Sequence, residues 1–329
     1  MIKLGFVLPC YNEEEVLPSS IARLTSLLDE LVGKGKLSPD SFLFLVNDGS
    51  RDRTWQLISR FFRENRYVRG MNLAANAGHQ NAIMAGMMTV KDRCDAVITI
   101  DADLQDDLSA VEKMIDRYEE GYDVVYGVKV SRKGDNLIKR TTALTFYKVQ
   151  QAMGVKAVYN HADFRLLSRR ALEELSRYKE RNLYLRGLVP LMGYPSATVD
   201  DVISEREAGQ SKYSIRRMLA LAVDGITSFS TKPISLILGA GFFFLFVSIL
   251  MTVYVLISYW EHLAVPGWTS LMLSVWFIGS VLLLAIGVVG EYIGKIYVEV
   301  KNRPSYTVDE ILWDEPDPDA EVDSKKRKS

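Results

Sequence analysis

The sequence contains few cysteines, and its charges are almost balanced. Its 329 residues include only two cysteines, Cys10 and Cys94, which are too few for a disulfide-rich secreted domain. No third ligand lies near either thiol to complete a zinc site, so both fit small buried side chains in a reducing compartment. Lysine and arginine number 40 against 41 acidic residues, so the chain lacks the basic excess of proteins that bind nucleic-acid backbones. We expect no nucleic-acid partner.

Two glycine-rich nucleotide motifs are also missing. A dinucleotide-binding fold has a Gly-x-Gly-x-x-Gly turn after its first strand, but the turn at this place, Pro9 to Glu13, contains no glycine. No Gly-x-x-x-x-Gly-Lys-Ser/Thr loop occurs in the sequence. These absences argue against a nicotinamide- or flavin-dependent enzyme and against a P-loop nucleotidase.

Two long apolar segments are present near the C-terminal end. Residues 233–260 and 263–290 contain no Asp, Glu, Lys, Arg or His. Each exceeds the roughly 20 apolar residues that cross a bilayer, and neither has the polar face that a soluble helix shows to water. We therefore predict a transmembrane hairpin with helices at 233–260 and 263–294.

The basic residues near this hairpin predict its orientation. The loop between the spans has no Lys or Arg, whereas basic residues lie on the other side of both spans: Lys212, Arg216, Arg217 and Lys232 upstream, and Lys295, Lys301 and Arg303 downstream. The positive-inside rule then places both termini in the cytoplasm. The first apolar run, Ile2 to Leu8, is too short for a signal peptide. The prediction is an integral membrane protein, which for a bacterial source lies in the inner membrane.

The segments beside the spans carry further predictions. Residues 211–232 show apolar side chains at helical spacing after a basic start, which predicts an amphipathic helix at the membrane interface. Residues 295–329 form a predicted cytoplasmic tail, whose acidic stretch from Asp309 favours disorder. Small residues in the second span permit close helix contacts, and we expect a homo-oligomer with a tetramer as the first choice.

The N-terminal region, residues 1–210, alternates apolar strands with helices. Such alternation predicts an α/β fold with a mainly parallel, Rossmann-like sheet, in which ligands bind beyond the carboxyl ends of the strands. The predicted strands are Leu4–Leu8, Phe42–Val46, Val97–Ile100 and Val124–Tyr126, and the predicted helices are Glu13–Val32, Thr54–Phe62, Ala77–Met88 and Ser109–Tyr118. Polar segments follow three of these strands: Pro9–Glu13, Asn47–Ser50 and Asp101–Gln105.

The pair Asp101 and Asp103 is the strongest chemical signal. Two carboxylates one residue apart at a strand end can share a divalent cation with diphosphate oxygens, and the metal then screens the charge of a leaving diphosphate. An Asp-x-Asp pair alone equally fits a solvated turn. Its place after the apolar strand that ends at Ile100 favours a metal site.

These polar segments resemble, in the same order, the signature segments of family 2 glycosyltransferases, which have a GT-A-type catalytic domain. Asn76–Gln80 and His161–Leu166 resemble the branch that transfers a sugar to a polyprenyl phosphate, as in dolichyl-phosphate mannosyltransferase and bactoprenol glucosyltransferases. Arg206–Tyr213 and the two-span ending extend this resemblance to about residues 3–300.

The resemblance implies roles for individual residues. It implies Mg²⁺ or Mn²⁺ as the cofactor, with Asp101, Asp103 and Gln105 as the metal segment. The residues that it implies near the nucleotide sugar are Pro9, Tyr11, Glu13, Asp48, Asn76 and Asp101. Those that it implies near phosphate or the lipid acceptor are Lys129, Arg132, Arg140, Arg206, Ser211 and Lys212. Asp103, Asp163 and Arg140 are the implied catalytic residues, with the role of Asp163 the least defined.

Structural explanations compete with several of these roles. Asp48 also fits a plain turn, and Asn76 also fits a helix cap. His79 and His161 have no ligand partner by spacing and are interpreted as structural hydrogen-bonding residues. The basic residues at 132–140 also fit a solvated face.

The resulting hypothesis is a single inverting displacement on a nucleotide sugar, with UDP-glucose as the first choice and a polyprenyl phosphate, undecaprenyl phosphate first, as the acceptor. The nucleophile is an anionic phosphate oxygen, which needs hardly any general base. A mannose, galactose, N-acetylhexosamine or aminoarabinose donor stays open. A processive polysaccharide synthase is disfavoured because no Gln-x-x-Arg-Trp segment occurs, and an inactive membrane adaptor remains the alternative from another class.

Overall fold

A computed structural model of the chain describes residues 1–129, 161–180, 184–201 and 267–313, with isolated positions between 234 and 250. The chain divides into two compact units, one containing the sheet and its helices and the other containing the long C-terminal helix. The predicted interfacial helix at 211–232 and most of the predicted first span lie outside the described residues.

The described part of the first unit contains one eight-stranded sheet. Its strands are β1 Leu4–Cys10, β2 Phe42–Asn47, β3 Val68–Leu73, β4 Ala96–Thr99, β5 Val124–Lys129, β6 His161–Ser168, β7 Ser196–Asp201 and β8 Val308–Leu312. The described helices are α1 Leu17–Gly33, α2 Thr54–Glu64, α3 His79–Val90, α4 Ser109–Glu119, α5 Arg169–Leu175, α6 Leu185–Leu191 and α7 Trp268–Lys301.

The strand order is β7-β5-β6-β4-β1-β2-β3-β8. Strand β1 pairs in parallel with β2 and β4, β2 with β3, and β5 with β7, which confirms the predicted mainly parallel sheet. Two strands run the other way: β6 lies antiparallel between β4 and β5, and β8 lies antiparallel to β3. The carboxyl ends of β1, β2, β4, β5 and β7 therefore meet at one edge, where β6 begins.

The core forms because the central strands are apolar on both faces of the sheet, and α1 covers one of these faces. All seven residues of β1 are buried, as expected for a strand covered on both sides. Helix α1 buries Leu17, Ile21, Leu24, Leu28 and Leu31 at helical spacing. It begins at Leu17, four residues later than predicted, because the backbone from Glu13 to Val16 forms a turn and Pro18 lies in the first helical turn.

The segment after α7 corrects one expectation. Residues 308–312, predicted to be disordered from their acidic composition, form the edge strand β8. The Asn72 side chain donates a hydrogen bond to Asp309 at 2.9 Å, and the Trp313 ring lies edge-on to Phe42 with centroids 5.0 Å apart. The prediction is wrong here because amino-acid composition gives no information on strand pairing, and β8 pairs with the otherwise open edge of β3.

Helix α7 is the one helix among the described residues that is long and apolar enough to cross a membrane. It has 34 residues, and its segment Phe277–Lys301 reaches a mean hydropathy of 1.9. Large apolar side chains such as Leu283 and Ile286 are exposed along it. The predicted second span, 263–294, falls mostly on this helix, which continues seven residues further.

Candidate active site

The polar segments Pro9–Glu13 and Asn47–Ser50 are joined by hydrogen bonds at the sheet edge where the carboxyl ends of the parallel strands meet. We call this edge the ligand edge. Asn12 has a left-handed backbone, with φ of 56°, and its N–H donates to Ser50 Oγ at 3.0 Å. The side-chain oxygen of Asn12 accepts from the N–H of Arg51 at 2.9 Å. The N–H of Glu13 donates to Thr54 Oγ1 at 2.9 Å. These contacts fix the loop after β1 to the loop after β2, as the shared edge predicts.

Asp48 holds the loop that precedes α3. One of its buried carboxylate oxygens accepts from the N–H of Ala77 at 2.6 Å, and the other accepts from the N–H of Gly78 at 3.0 Å and from the Asn76 amide at 3.1 Å. Burial raises the pKa of Asp48, while these backbone hydrogen bonds oppose the shift. Asp48 thus fixes the position of this loop. Asn76 donates its hydrogen bond to Asp48, and its side chain does not cap α3, the competing interpretation.

Gly49 allows this close contact. Its φ is +62°, and a Cβ atom there would lie 2.5 Å from the backbone nitrogen of Asn76. A side chain would therefore be strained in its own backbone and would clash with the loop. The Asn-Asp-Gly-Ser segment is more than a plain turn, because each of its last three residues takes part in joining the two neighbouring loops.

The Asp101–Gln105 segment forms a tight turn directly after β4. Leu104 is buried with a φ of 45°, an uncommon backbone for a branched side chain, and its N–H donates to the Asp101 carbonyl at 3.1 Å. The carbonyl of Ala102 accepts from Ser20 Oγ at 2.5 Å. This arrangement buries Ala102 and Leu104 and leaves Asp103 exposed, with its carboxylate accepting from the Gln105 amide.

Three carboxylates concentrate negative charge at this place. Burial and the charges of Asp103 and Asp101 raise the pKa of Glu13 to about 7. Burial also raises the pKa of Asp101, where His79 opposes the shift and Asp163 and Asp103 add to it. Mutual repulsion of this kind fits a site that takes up a cation. Among the described residues no three His, Cys, Asp or Glu side chains are already arranged as metal ligands, so an ion at Asp101 and Asp103 would need oxygens from its substrate or from water.

Asp163 lies at the start of β6 and is surrounded by cations. Its Oδ1 accepts from the buried Arg165 guanidinium at 2.7 Å, and its Oδ2 accepts from Arg186 of α6 at 3.2 Å. Although burial alone would raise the pKa of Asp163, the hydrogen bond of His79 and the charges of Arg186 and Arg165 hold that pKa well below its usual range. Asp163 is therefore ionised and a poor proton acceptor. Together with Arg165, Arg186 and His79 it forms what we call the ion cluster of Asp163.

His79 lies beside the candidate site and acts there as a hydrogen-bonding residue, as interpreted from the sequence. Its Nε2 lies 3.4 Å from Asp163 Oδ2 and 3.6 Å from Asp101 Oδ1. Burial lowers the pKa of His79, but the hydrogen bond to Asp163 and the charge of Asp101 outweigh it and raise the pKa above its usual value. The neighbouring Gln80 accepts from the N–H of Leu185 at 2.8 Å, which ties α6 to α3.

A second acidic pair lies beside the Asp101–Gln105 segment. Asp106 and Asp201 are both buried, and Lys129 at the end of β5 approaches Asp106 Oδ1 at 3.4 Å. Lys129, a predicted phosphate ligand, is thus at the ligand edge. Neither Asp106 nor Asp201 was predicted as a site residue; Asp201 is the last residue of β7, a strand that was not predicted from the sequence.

The structure brings together most of the predicted site residues that it describes. Pro9 is buried in β1 opposite Val46, and Tyr11 is 44% exposed beside the first loop. The predicted phosphate and acceptor residues Arg132, Arg140, Arg206, Ser211 and Lys212 lie outside the described residues. Arg165, Arg186 and His79 were not predicted as site residues; the Arg165 position within the His161–Leu166 segment was the signal available for one of them.

Comparison with known proteins identifies the family. Residues 6–176 match the model of Glycosyl transferase family 2. The chain belongs to this family. It is 47% identical over 312 residues to the uncharacterized glycosyltransferase YkoT of Bacillus subtilis, a match that covers 95% of this chain and 93% of the relative. It is 36% identical over 310 residues to the bactoprenol glucosyl transferase of Shigella phage SfII, covering 93% of this chain and 97% of the relative.

A further relative is the prophage bactoprenol glucosyl transferase homolog of Escherichia coli K12, 33% identical over 94% of this chain and 99% of the relative. Among solved structures, glucosyl-3-phosphoglycerate synthase of Mycobacterium tuberculosis with Mn²⁺, UDP and phosphoglyceric acid aligns at a TM-score of 0.45 and 16% identity, over 69% of this chain and 76% of that one. The resemblance to the polyprenyl-phosphate branch of family 2 is confirmed by the sequence relatives.

Proposed function

We propose that this family 2 protein transfers a hexose from a nucleotide sugar to a polyprenyl phosphate at the cytoplasmic face of a membrane. Glucose from UDP-glucose is the first choice of donor and undecaprenyl phosphate that of acceptor. The observation that carries the proposal is the group of Glu13, Asp101 and Asp103 at the carboxyl edge of the sheet, beside the ion cluster of Asp163. The names of the bactoprenol relatives support glucose and a polyprenyl lipid.

A divalent cation, Mg²⁺ or Mn²⁺, fits the exposed Asp103 carboxylate together with Asp101, with Gln105 next to them. Such an ion would supply Lewis-acid stabilisation of the departing diphosphate. Hard oxygen ligands of this kind suit Mg²⁺ and Mn²⁺. The raised pKa values of Glu13 and Asp101 support this assignment, because a bound cation relieves their repulsion.

The protein's own groups would orient the reactants for an inverting displacement. A phosphate oxygen of the lipid attacks the anomeric carbon while the bond from that carbon to the diphosphate oxygen breaks, and the electron pair leaves with the nucleoside diphosphate. Lys129 and Arg186 offer positive charge where the phosphates would lie. The attacking oxygen is already anionic, so the ionised Asp163 has the role of holding His79 and Arg186 in place and accepts no proton.

The membrane assignment extends beyond α7. We propose two spans with both termini in the cytoplasm, an interfacial helix at 211–232 and a bacterial inner-membrane location. The exposed apolar surface of α7 supports at least one span. A tetramer remains our expectation for the assembly.

The decisive experiment uses purified protein in detergent with Mn²⁺ or Mg²⁺, undecaprenyl phosphate and a panel of radiolabelled nucleotide sugars. We expect label in the organic phase from UDP-glucose, and no label after chelation or in Asp103→Ala. Asp92→Ala is the matched control, because Asp92 is an exposed carboxylate in the loop before β4, far from its carboxyl end. Near-wild-type transfer by Asp103→Ala would contradict the metal assignment.

Other results would select the alternatives. Transfer from a mannose, galactose or N-acetylhexosamine donor alone would change the sugar and keep the reaction class. Nucleotide binding without transfer from any donor would favour the membrane adaptor, which would bind a nucleotide sugar and make no lipid-linked product.

A further inference from the structure

Ser20 interrupts the apolar face of α1. The buried residues of this helix recur at helical spacing, as at Leu17, Ile21 and Leu24, and Ser20 lies on the same buried face. The serine is 3% exposed. A hydroxyl group that is removed from water is unfavourable unless it forms a hydrogen bond. The partner of Ser20 therefore explains why this position is polar.

The hydroxyl of Ser20 binds the turn that contains the two proposed metal ligands. Its Oγ lies 2.5 Å from the carbonyl oxygen of Ala102 and 3.1 Å from that of Val16, one helical turn earlier. A serine hydroxyl has a single hydrogen, and the Val16 carbonyl already accepts from the backbone N–H of Ser20 at 3.1 Å. The hydroxyl hydrogen therefore goes to the carbonyl of Ala102, which belongs to the peptide bond between Ala102 and Asp103.

The backbone of this turn needs support from its surroundings. Leu104 has a φ of 45°, and the left-handed region is unfavourable for a residue with a branched side chain. Such a conformation persists only where surrounding contacts hold it. The side chains of Ala102 and Leu104 are buried in the same core cluster as the leucines of α1. These apolar contacts bury the turn, whereas the hydrogen bond from Ser20 fixes the orientation of its peptide group.

The conformation of the turn determines where the Asp103 carboxylate lies relative to Asp101. Asp101 follows Ile100, whose N–H donates to the Val7 carbonyl of β1 at 3.2 Å, so the sheet fixes this end of the turn. Asp103 is exposed, and two carboxylates this close in the chain repel each other. Rotation of Leu104 toward negative φ would relieve its backbone strain and displace Asp103. The hydrogen bond from Ser20 opposes that movement.

We propose that Ser20 is a positioning residue for the divalent cation, because its hydroxyl keeps the carboxylates of Asp101 and Asp103 in one arrangement before the ion binds. A metal site whose ligands are already held in place binds its ion more tightly, since less ordering is needed on binding. Ser20 itself contacts neither the ion nor the substrate. The inference rests on the proposed function, since it takes Asp101 and Asp103 as ligands of Mg²⁺ or Mn²⁺.

Mn²⁺ alone tests this role without substrate. We measure the rise in unfolding temperature of the full chain in detergent as Mn²⁺ is added. Ser20→Ala should need about three- to tenfold more Mn²⁺ than wild type for the same rise, the effect of losing one hydrogen bond. Ser26→Ala is the matched control, because Ser26 is an exposed residue of the same helix whose hydroxyl donates to the Ala22 carbonyl at 3.1 Å. It should stay within about twofold of wild type.

Two further variants separate positioning from general stability. Ser41→Ala removes another buried hydroxyl, which accepts from the N–H of Leu4 at the opposite edge of the sheet. It should lower the unfolding temperature in chelator and leave the Mn²⁺ requirement unchanged. Ser20→Cys nearly preserves the side-chain volume and has only a weak donor, so it should resemble Ser20→Ala. A wild-type Mn²⁺ requirement in Ser20→Ala or Ser20→Cys, or an equal change in Ser41→Ala, would overturn the proposal.

Hydrogen exchange tests the hold on the turn in the absence of metal. The N–H of Leu104 donates to the Asp101 carbonyl at 3.1 Å. In chelator, the amides of residues 101–105 should exchange about three- to tenfold faster in Ser20→Ala than in wild type, with no change in Ser26→Ala. Unchanged exchange in Ser20→Ala would overturn the proposal.

The two measurements also distinguish this inference from the proposed function. Asp103→Ala should abolish the Mn²⁺-dependent rise in unfolding temperature. If wild type and Asp103→Ala respond equally to Mn²⁺, both the metal assignment and the role of Ser20 toward the ion fail, even where Ser20→Ala exchanges faster. If Asp103→Ala loses the response and Ser20→Ala keeps it in full, the metal assignment stands and the positioning role of Ser20 fails.

Discussion

Replacing Glu13 with glutamine should stabilise the metal-free protein, because the native carboxylate is held among other negative charges. The pKa of Glu13 is raised to about 7 from 4.5, first by burial and then by Asp103 and Asp101. A shift of that size corresponds to roughly 3 kcal/mol above pH 7. Since the side chain is partly exposed and solvent screens these charges, we expect about 1–2 kcal/mol, or an unfolding temperature higher by roughly 2–6 °C.

The sign of the pH dependence follows from the direction of the shift. A carboxyl group whose folded pKa is raised binds a proton more tightly in the folded state, so its stabilising contribution is complete at low pH. That contribution is lost between about pH 4.5 and 7. The unfolding temperatures of Glu13→Gln and wild type should therefore agree near pH 4, diverge up to pH 7 and stay apart above it.

Metal binding should remove the difference. A cation near Asp101 and Asp103 neutralises the charges that raise the pKa of Glu13, so saturating Mn²⁺ at pH 7.5 should stabilise wild type more than Glu13→Gln. The assay is thermal unfolding in detergent, with chelator or with Mn²⁺. Glu15→Gln is the matched control, because Glu15 lies exposed in the same turn. A Glu13→Gln variant that unfolds at the wild-type temperature at pH 7.5 with chelator would refute the charge-repulsion argument.

Three further predictions concern the packing around the site. Gly49→Ala should cost at least about 2 kcal/mol in denaturant unfolding, because its Cβ would lie 2.5 Å from the backbone of Asn76 at a positive φ; a neutral effect would contradict the close approach. Asp163→Ala should destabilise the protein by about 3–5 kcal/mol in denaturant unfolding, since it removes the carboxylate that balances the charge of the buried Arg165 guanidinium. Trp313→Ala should cost about 1–3 kcal/mol through its lost contacts with aromatic side chains of β2, and retention of wild-type stability would show that β8 is dispensable.

The sequence predicted those parts of the fold that local patterns encode. The apolar runs of β1, β2 and β4 are continuous, so both the strands and the polar loops that follow them could be recognised. Strand β3 was missed because Gly70 and Asn72 interrupt its pattern. Strand β8 was missed because Asp309 and Glu310 resemble a solvated tail, and its stability comes from pairing with a strand more than two hundred residues earlier.

The candidate site shows the same division between local and long-range information. Asp101 and Asp103 could be predicted because their spacing and their position after β4 are local properties. The ion cluster of Asp163 depends on α3, β6 and α6 meeting in space, so neither His79 nor Arg186 could be assigned from its neighbours in the chain. The proximity of Lys129 and Asp201 depends on β5 and β7 pairing in register, which no local pattern predicts.

The carboxylates at this edge fall into three groups that differ in what balances their charge. Asp163 is balanced by two arginines, and its low pKa marks it as a permanent anion that organises the loops around it. Asp106 is buried beside Lys129, whose Nζ lies 3.4 Å from its Oδ1. Glu13 and Asp101 have raised pKa values, and Asp103 faces solvent beside them. This third group is the one that a cation would stabilise most, which is why we place the metal there and treat the fully paired Asp163 as part of the scaffold.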